Sequence, residues 1–225
     1  MTFQATPEKG RFITFEGGEG VGKSTQLERL AEHLRGCGFE VVTTREPGGT
    51  PKAEQLRAIL LAGRIAPLGP LAEAALFSAA RADHVETLIA PALKRGAWVL
   101  CDRFADSTRA YQGSRGGVDA RTLALLERAA VGETRPDLTI MLDLPARAGL
   151  ARAALRRGGL DGGDRFEREE PSFHEALRQA FLDIAEGEPE RCCVIDATMS
   201  IDDVARAVQA LVDDRFLAQA AQAAQ

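Results

Sequence analysis

The chain has 225 residues, 45% of them hydrophobic, and a net charge of −5. That is apolar material enough for a packed core in one large domain or two small ones, and the acidic balance speaks against the broad basic surface of a nucleic-acid binder. No run of 18 apolar residues occurs and Met1–Arg11 has no apolar signal core, so the expectation is a soluble, cytoplasmic protein with no membrane partner.

The elements predicted along the chain alternate between short strands and longer helices. A strand over 11–16 leads into Gly17, Gly18, Glu19, Gly20, Val21, Gly22, Lys23 and Ser24, which fit G-x-x-x-x-G-K-[ST], and a helix over 23–36 carries on through Thr25. In that setting glycines let backbone N–H groups close around an anion, and the helix N-terminus adds its dipole. The run is therefore the candidate triphosphate site, with Lys23 on the outer phosphates and the Ser24 hydroxyl on a magnesium ion. A plain glycine-rich turn capping a helix is the competing reading.

A strand over 39–44 ends in Thr44-Arg45-Glu46-Pro47-Gly48-Gly49-Thr50, where Pro and two Gly impose a shaped loop. Helices over 51–62 and 70–95 come next. In the second, Phe77 and Arg81 are four apart on one face, so a ring could stack on a base while the guanidinium bonds its edge. A core role for Phe77 is the stronger reading on sequence alone.

The strand over 97–102 ends in Asp102-Arg103-Phe104. A carboxylate leaving a strand beside the phosphate loop would hold magnesium through its water shell, and Arg103 would bridge donor and acceptor phosphates. A helix cap or surface ion pair is the alternative for Asp102. A helix over 119–131, a strand over 137–143 and a helix over 146–157 precede a glycine-rich charged stretch from Arg156 to Arg165. That stretch suits a mobile lid at about 156–167, or else a surface loop. Helix 169–186, strand 192–196 and helix 201–214 follow, and the Ala/Gln-rich residues 218–225 read as a frayed helix end.

Near-continuous apolarity in Trp98–Cys101 and Leu138–Leu142 suits strands buried on both faces. The alternation predicts a single α/β unit over 1–225, a three-layer sandwich with a five-stranded parallel sheet and ligands at the strands' carboxyl ends. Cys37, Cys101, Cys192 and Cys193 lack metal-ligand spacing and read as buried reduced thiols. His33, His84 and His174 sit among charged helical neighbours and read as exposed.

No Asn-Lys-x-Asp guanine motif is present, which favours a kinase over a switch. The stretches FEGGEGVGKST, TREPGGT, LFSAAR, DRFADSTRAYQG, RPDLTIMLD and DRFE stand in the order and spacing of thymidylate kinases. The chain resembles that family from about Phe12 to about Val212. The resemblance implies a P-loop nucleoside monophosphate kinase architecture and transfer of the γ-phosphoryl of ATP to dTMP, giving dTDP, with magnesium on Ser24 and Asp102. It further implies that Glu19 contacts the sugar 3′-hydroxyl and that Arg103 and Arg57 hold the dTMP phosphate. Phe77 would stack on thymine, Arg81 would bond O4, and Thr108 and Gln112 would read the rest of the base edge. Glu46, a cis Pro47 and Ser107 belong to the same substrate wall, and Tyr111 would crowd out a ribose 2′-hydroxyl.

No arginine lies among Gly18–Val21, so the chain looks like the bacterial type that supplies a catalytic arginine from the lid. Arg156, Arg157 and Arg165 are its candidates, to act with Lys23 and Arg103. They are unranked because Leu160-Asp161-Gly162-Gly163 lengthens the lid relative to the family. The resemblance also implies backbone at Ile195–Thr198 against adenine and a homodimer packed through helices, including the one bearing Ala72–Ala75. A P-loop kinase for another monophosphate or small phosphorylated substrate, and a nucleotide-dependent switch, are the rival readings.

Overall fold

A computed structural model describes residues 10–115, 117–156 and 165–217. Five strands, β1 (Phe12–Glu16), β2 (Val41–Arg45), β3 (Trp98–Asp102), β4 (Leu138–Asp143) and β5 (Cys192–Asp196), form one all-parallel sheet in the order β2-β3-β1-β4-β5. The order reverses at β1, so the crevice beyond its carboxyl end lies at a topological switch point. The register sets Phe15 and Arg45 on either side of Asp102, which brings three loops to one place.

Side-chain alternation along β1 assigns its residues to opposite layers. Ile13 and Phe15 pack with Leu27, Leu30 and Leu34 of α1 (Lys23–Gly36) and Val204 and Val208 of α9 (Ile201–Val212). Phe12 faces the other layer with Val99, Cys101 and Phe104. Thr14 and Glu16 share that second face, and both are fully buried. Thr14 is satisfied by Thr139 of β4 at 2.8 Å. The expected burial on both faces holds for β3 and β4 up to the last residue of each; β1 is buried throughout, whereas edge strand β2 is half-exposed.

The helix expected over 70–95 is three pieces: α3 (Pro70–His84), a π turn at Val85–Ile89 and α4 (Ala90–Lys94). Pro91 explains the interruption, since it lacks an N–H and its ring crowds the carbonyl four residues earlier. A helix that periodicity did not disclose, α5 (Ala105–Thr108) continuing as a π turn at Arg109–Arg115, follows β3. The remaining helices are α2 (Pro51–Leu61), α6 (Ala120–Val131), α7 (Ala146–Arg156) and α8 (Pro171–Gly187). Thr50 and Asp119 cap α2 and α6 by accepting N–H bonds three residues on, from Ala53 at 3.2 Å and Thr122 at 3.0 Å.

Two expectations about single residues are corrected. His84 and His174 are buried, at 0% and 3% exposure, because each turns to the inner face of its helix; only His33 stays half-exposed, beside Asp213. Of the cysteines, Cys101 and Cys192 are buried, but Cys37 at the end of α1 is exposed and Cys193 on edge strand β5 is half-buried. Residues 157–164 and 218–225, which hold most of the expected lid and the expected frayed tail, lie outside the described residues.

Candidate active site

The phosphate loop runs from β1 to α1 with Gly17, Gly20 and Gly22 at positive φ. Gly20 has φ +67°, and a Cβ there would run into the Gly149 carbonyl of α7, so the loop is pressed against that helix. Lys23 is buried and donates from Nζ to the carbonyls of Gly17 (3.1 Å) and Gly18 (2.7 Å). Burial, with Arg103 nearby, pushes its pKa down to about 8 against the pull of Glu19 and Asp102. The Ser24 hydroxyl donates to Asp102 Oδ2 at 2.6 Å, so the two hard oxygen donors expected around magnesium are in contact. Val21 turns inward and packs with Leu27 and Leu144 in the core.

Beyond the loop, Arg103 leaves β3 with φ +69°, the only positive φ at a non-glycine among the described residues. Its guanidinium donates to Glu19 Oε1 (2.6 Å), the Gly17 carbonyl (3.1 Å) and Ser107 Oγ (3.2 Å). Tyr111 donates its hydroxyl to the same Glu19 oxygen at 2.6 Å. Burial alone would raise the Glu19 carboxyl, but Arg103, Lys23 and the Tyr111 hydroxyl hold it down at about 2, so it is a carboxylate.

The third wall comes from the β2–α2 loop and α3. Arg81 is 2% exposed and donates from Nε to Glu46 Oε2 (2.7 Å) and from Nη2 to the Phe104 carbonyl (3.1 Å) and Thr108 Oγ1 (3.0 Å). The other Glu46 oxygen meets His84 Nδ1 at 3.0 Å, and His84 Nε2 meets Thr44 Oγ1 at 2.8 Å. A buried pair of this kind is costly to break, because either partner alone is an uncompensated charge. The Glu46–Pro47 peptide is cis, as expected, and Arg57 Nη1 donates to the Pro47 carbonyl at 2.7 Å.

One cleft of about 300 Å³ joins these parts. Glu19, Gly20, Gly22, Lys23, Ser24 and Thr25 line its loop side, with Asp102 and Arg103 between. Glu46, Pro47, Arg57, Phe77, Arg81, Ser107, Thr108, Tyr111 and Gln112 line the other side, and Arg156 reaches it from the end of α7. Phe77 is half-buried and lies on the cleft, so it is not purely a core residue. Gly17 and Gly18 serve the site through their carbonyls. Arg165 sits instead against Glu73 of α3 and over the Phe166 ring, and lines an adjoining cavity. Arg157 lies outside the described residues.

Sequence reasoning passed over four residues of the same cleft: Arg45, Leu61, Phe104 and Phe166. Phe166 meets the Tyr111 ring edge-on at 5.1 Å and lies 6.4 Å from Phe77. It stands inside the DRFE stretch, which was a usable signal. Glu16 and His84 were also missed; they support the site from behind, and their only trace was a polar residue at an inward position.

Three comparisons bear on this arrangement. The model of the family described as thymidylate kinase matches residues 15–208. A thymidylate kinase of Bradyrhizobium diazoefficiens is 55% identical over 214 residues, covering 95% of this chain and 93% of that protein. One of Nitrobacter hamburgensis is 54% identical over 209 residues, covering 93% and 90%. The crystal structure of the Ehrlichia chaffeensis thymidylate kinase superimposes with a TM-score of 0.72 at 34% identity, covering 91% of this chain and 98% of that one. With the family model spanning most of its length and relatives this similar end to end, the chain belongs to the thymidylate kinase family.

Proposed function

We infer that this protein transfers the γ-phosphoryl of ATP to dTMP, giving dTDP and ADP. The carrying observation is that a phosphate loop and a base-reading wall open on one cleft, with Arg103 and Glu19 between them. Membership of a nucleotide-kinase family supplies ATP as donor and dTMP as acceptor. A kinase for another monophosphate is disfavoured by the wall itself. Arg81 is fixed through Nε and Nη2, leaving Nη1 without a partner among the described residues and able to bond a base oxygen.

The chain's own groups have separable tasks. The P-loop amides and Lys23 bind the donor phosphates; Arg57 and Arg103 hold the acceptor phosphate in line with them. Phe77 stacks on the base, and Arg81, Thr108 and Gln112 read its edge. Glu19, ionised and anchored through one oxygen, keeps Oε2 to accept from the sugar 3′-hydroxyl. The Tyr111 ring, pinned by its own bond to Glu19, closes the space a 2′-hydroxyl needs. No side-chain base is required, since the acceptor phosphate is already an anion.

Ser24 and Asp102 fit magnesium, which takes few protein ligands beside phosphates and water. No group of three or more His, Cys, Asp or Glu suited to an all-protein metal cage occurs among the described residues, in keeping with that mode. When bound there, the ion would neutralise charge on the bridging phosphate oxygens. Residues 156–167 form the lid of a single kinase unit over 1–225 in this reading. Arg156, which already lines the cleft, is its closing cation. Among the described residues no helix is long and apolar enough to cross a membrane, and we place the enzyme in the cytoplasm. A homodimer packed through helices is part of this reading, and Leu71, exposed on α3 beside Ala72–Ala75, supports it.

The test is a coupled ADP-release assay with ATP and magnesium, comparing dTMP with dUMP, dCMP, dGMP and UMP. Strong preference for dTMP with UMP nearly silent is the expected result. Equal turnover of several acceptors, or ADP release with none added, would overturn the reading.

A further inference from the structure

Glu16 is the last residue of β1 and fully buried, and its carboxylate faces the start of the α5 segment. Strand alternation puts it on the same layer as Phe12 and Thr14, directly behind the cleft. Oε1 accepts from the backbone N–H of Phe104 at 2.7 Å and of Ser107 at 3.2 Å. Oε2 accepts the Ser107 hydroxyl at 2.6 Å. All three donors lie just past Arg103, whose backbone is in the left-handed region at φ +69°. A residue other than glycine keeps such a conformation only where its surroundings over-determine it.

The bonds continue into the site. Because the Ser107 hydroxyl proton is committed to Glu16, its lone pairs face Arg103, which donates to it at 3.2 Å. Arg103 in turn donates to Glu19, and Tyr111 closes onto the same Glu19 oxygen. Glu16 does not itself line the cleft; it reaches it only through Phe104 and Ser107, which do. We propose that Glu16 is a positioning residue: it holds the Arg103 turn and orients the Ser107 hydroxyl so that the guanidinium stands between donor and acceptor phosphates. The proposal rests on the phosphoryl-transfer reading above, since it assigns Glu16 a task through Arg103. Lys23 has a different task, organising the donor side through its own bonds to Gly17 and Gly18.

The substitution Glu16→Gln conserves shape but offers an amide NH2 where Ser107 needs an acceptor, so the hydroxyl loses the bond that orients it toward Arg103. Ser107→Ala removes the same link from its other end. The experiment measures kcat and both KM values for the wild type, the two single variants and the double variant, with thermal unfolding of each. The expected result is a 10- to 100-fold fall in kcat/KM for dTMP in Glu16→Gln, with KM for ATP within about twofold. The double variant should be no worse than about threefold below the poorer single one, because both changes cut one chain of bonds. Should Glu16→Gln prove too unstable to assay, Ser107→Ala alone must still show the acceptor-side fall. A lowered melting temperature with unchanged kcat/KM for dTMP overturns the proposal, as does an equal rise in both KM values or a fully additive double variant. If the wild type prefers another monophosphate, the dTMP reading fails separately, and the same comparison made with that acceptor still decides the role of Glu16.

Discussion

The donor and acceptor halves of the cleft are built in different ways. The proposed donor half is a contiguous loop, Gly17–Thr25, with one lysine folded back on two carbonyls of its own loop. The acceptor half gathers side chains from β2, α2, α3, β3 and the α5 segment, and holds them with a buried ion pair and long-range hydrogen bonds. A loop of that kind carries its geometry in local backbone preferences. A wall of that kind exists only while distant elements stay packed, so damage to it should be selective for the acceptor.

The largest effect should come from removing the cation of the donor half. Lys23→Ala is expected to lower kcat by about 1,000-fold for every acceptor, in line with losing a fixed cation at developing phosphate charge. Steady-state ADP release with dTMP and one poorer acceptor checks this; a loss confined to dTMP would erase the distinction between the halves. Next, Arg81→Ala should cut kcat/KM for dTMP by about 100-fold with KM for ATP unchanged. It should also cost about 3 kcal/mol of stability, because Glu46 is left buried and lacking its guanidinium. Urea unfolding and kinetics on the same sample separate the two losses. A variant as stable as the wild type would show that His84 alone satisfies Glu46.

A smaller, sharper effect is expected from Phe77→Ala, about 10-fold in kcat/KM for dTMP, from losing one stacked ring of about 1–2 kcal/mol. Phe77→Leu should behave almost as poorly if stacking rather than bulk matters, and like the wild type if Phe77 only fills space.

The smallest effect concerns Glu16. Burial, with Asp106 beside it, raises its pKa from 4.5 to about 7, against Arg103 and the bonds from Ser107 and Phe104. A carboxyl raised on folding binds more protons in the native state. Its contribution is therefore complete below about pH 4.5 and is lost as pH rises through about 7. Stability should fall by about 1 kcal/mol between pH 6 and 7 in the wild type, and by less in Glu16→Gln. Denaturation midpoints at the two pH values decide it, and a parallel pH dependence in both proteins would show that other groups titrate.

How much of this was legible in the sequence follows the same division. The G-x-x-x-x-G-K-[ST] run between a strand and a helix pointed to a donor site, and Glu19, Gly20, Gly22, Lys23 and Ser24 of that run line the cleft. The DR pair after β3 located Asp102 and Arg103, and apolar alternation disclosed the parallel sheet within one or two residues per strand. What failed to show was support from behind. Glu16 reads as an ordinary last strand residue and His84 as an exposed helical histidine, yet both are fully buried and bonded into the site. Periodicity reports which face of an element is apolar, so it is silent where a polar side chain on an inward face has found distant partners. The α5 segment escaped for a related reason: its turn is set by Arg103 at φ +69° and by Glu16, 88 residues from Phe104 in the chain.

By itself, then, the sequence determined what is encoded locally: glycines that can enter left-handed backbone, caps such as Thr50 and Asp119, and apolar strands that must be covered on both faces. Only the tertiary structure put Arg156 on the cleft and Arg165 against Glu73. It also decided that Glu46 serves Arg81 and His84, and that Glu16 takes the Ser107 hydroxyl, which in turn accepts from Arg103. The physical reason is reach. Backbone preferences act over a few residues, whereas the energy of a buried charge depends on partners that only the packed chain brings within 3 Å.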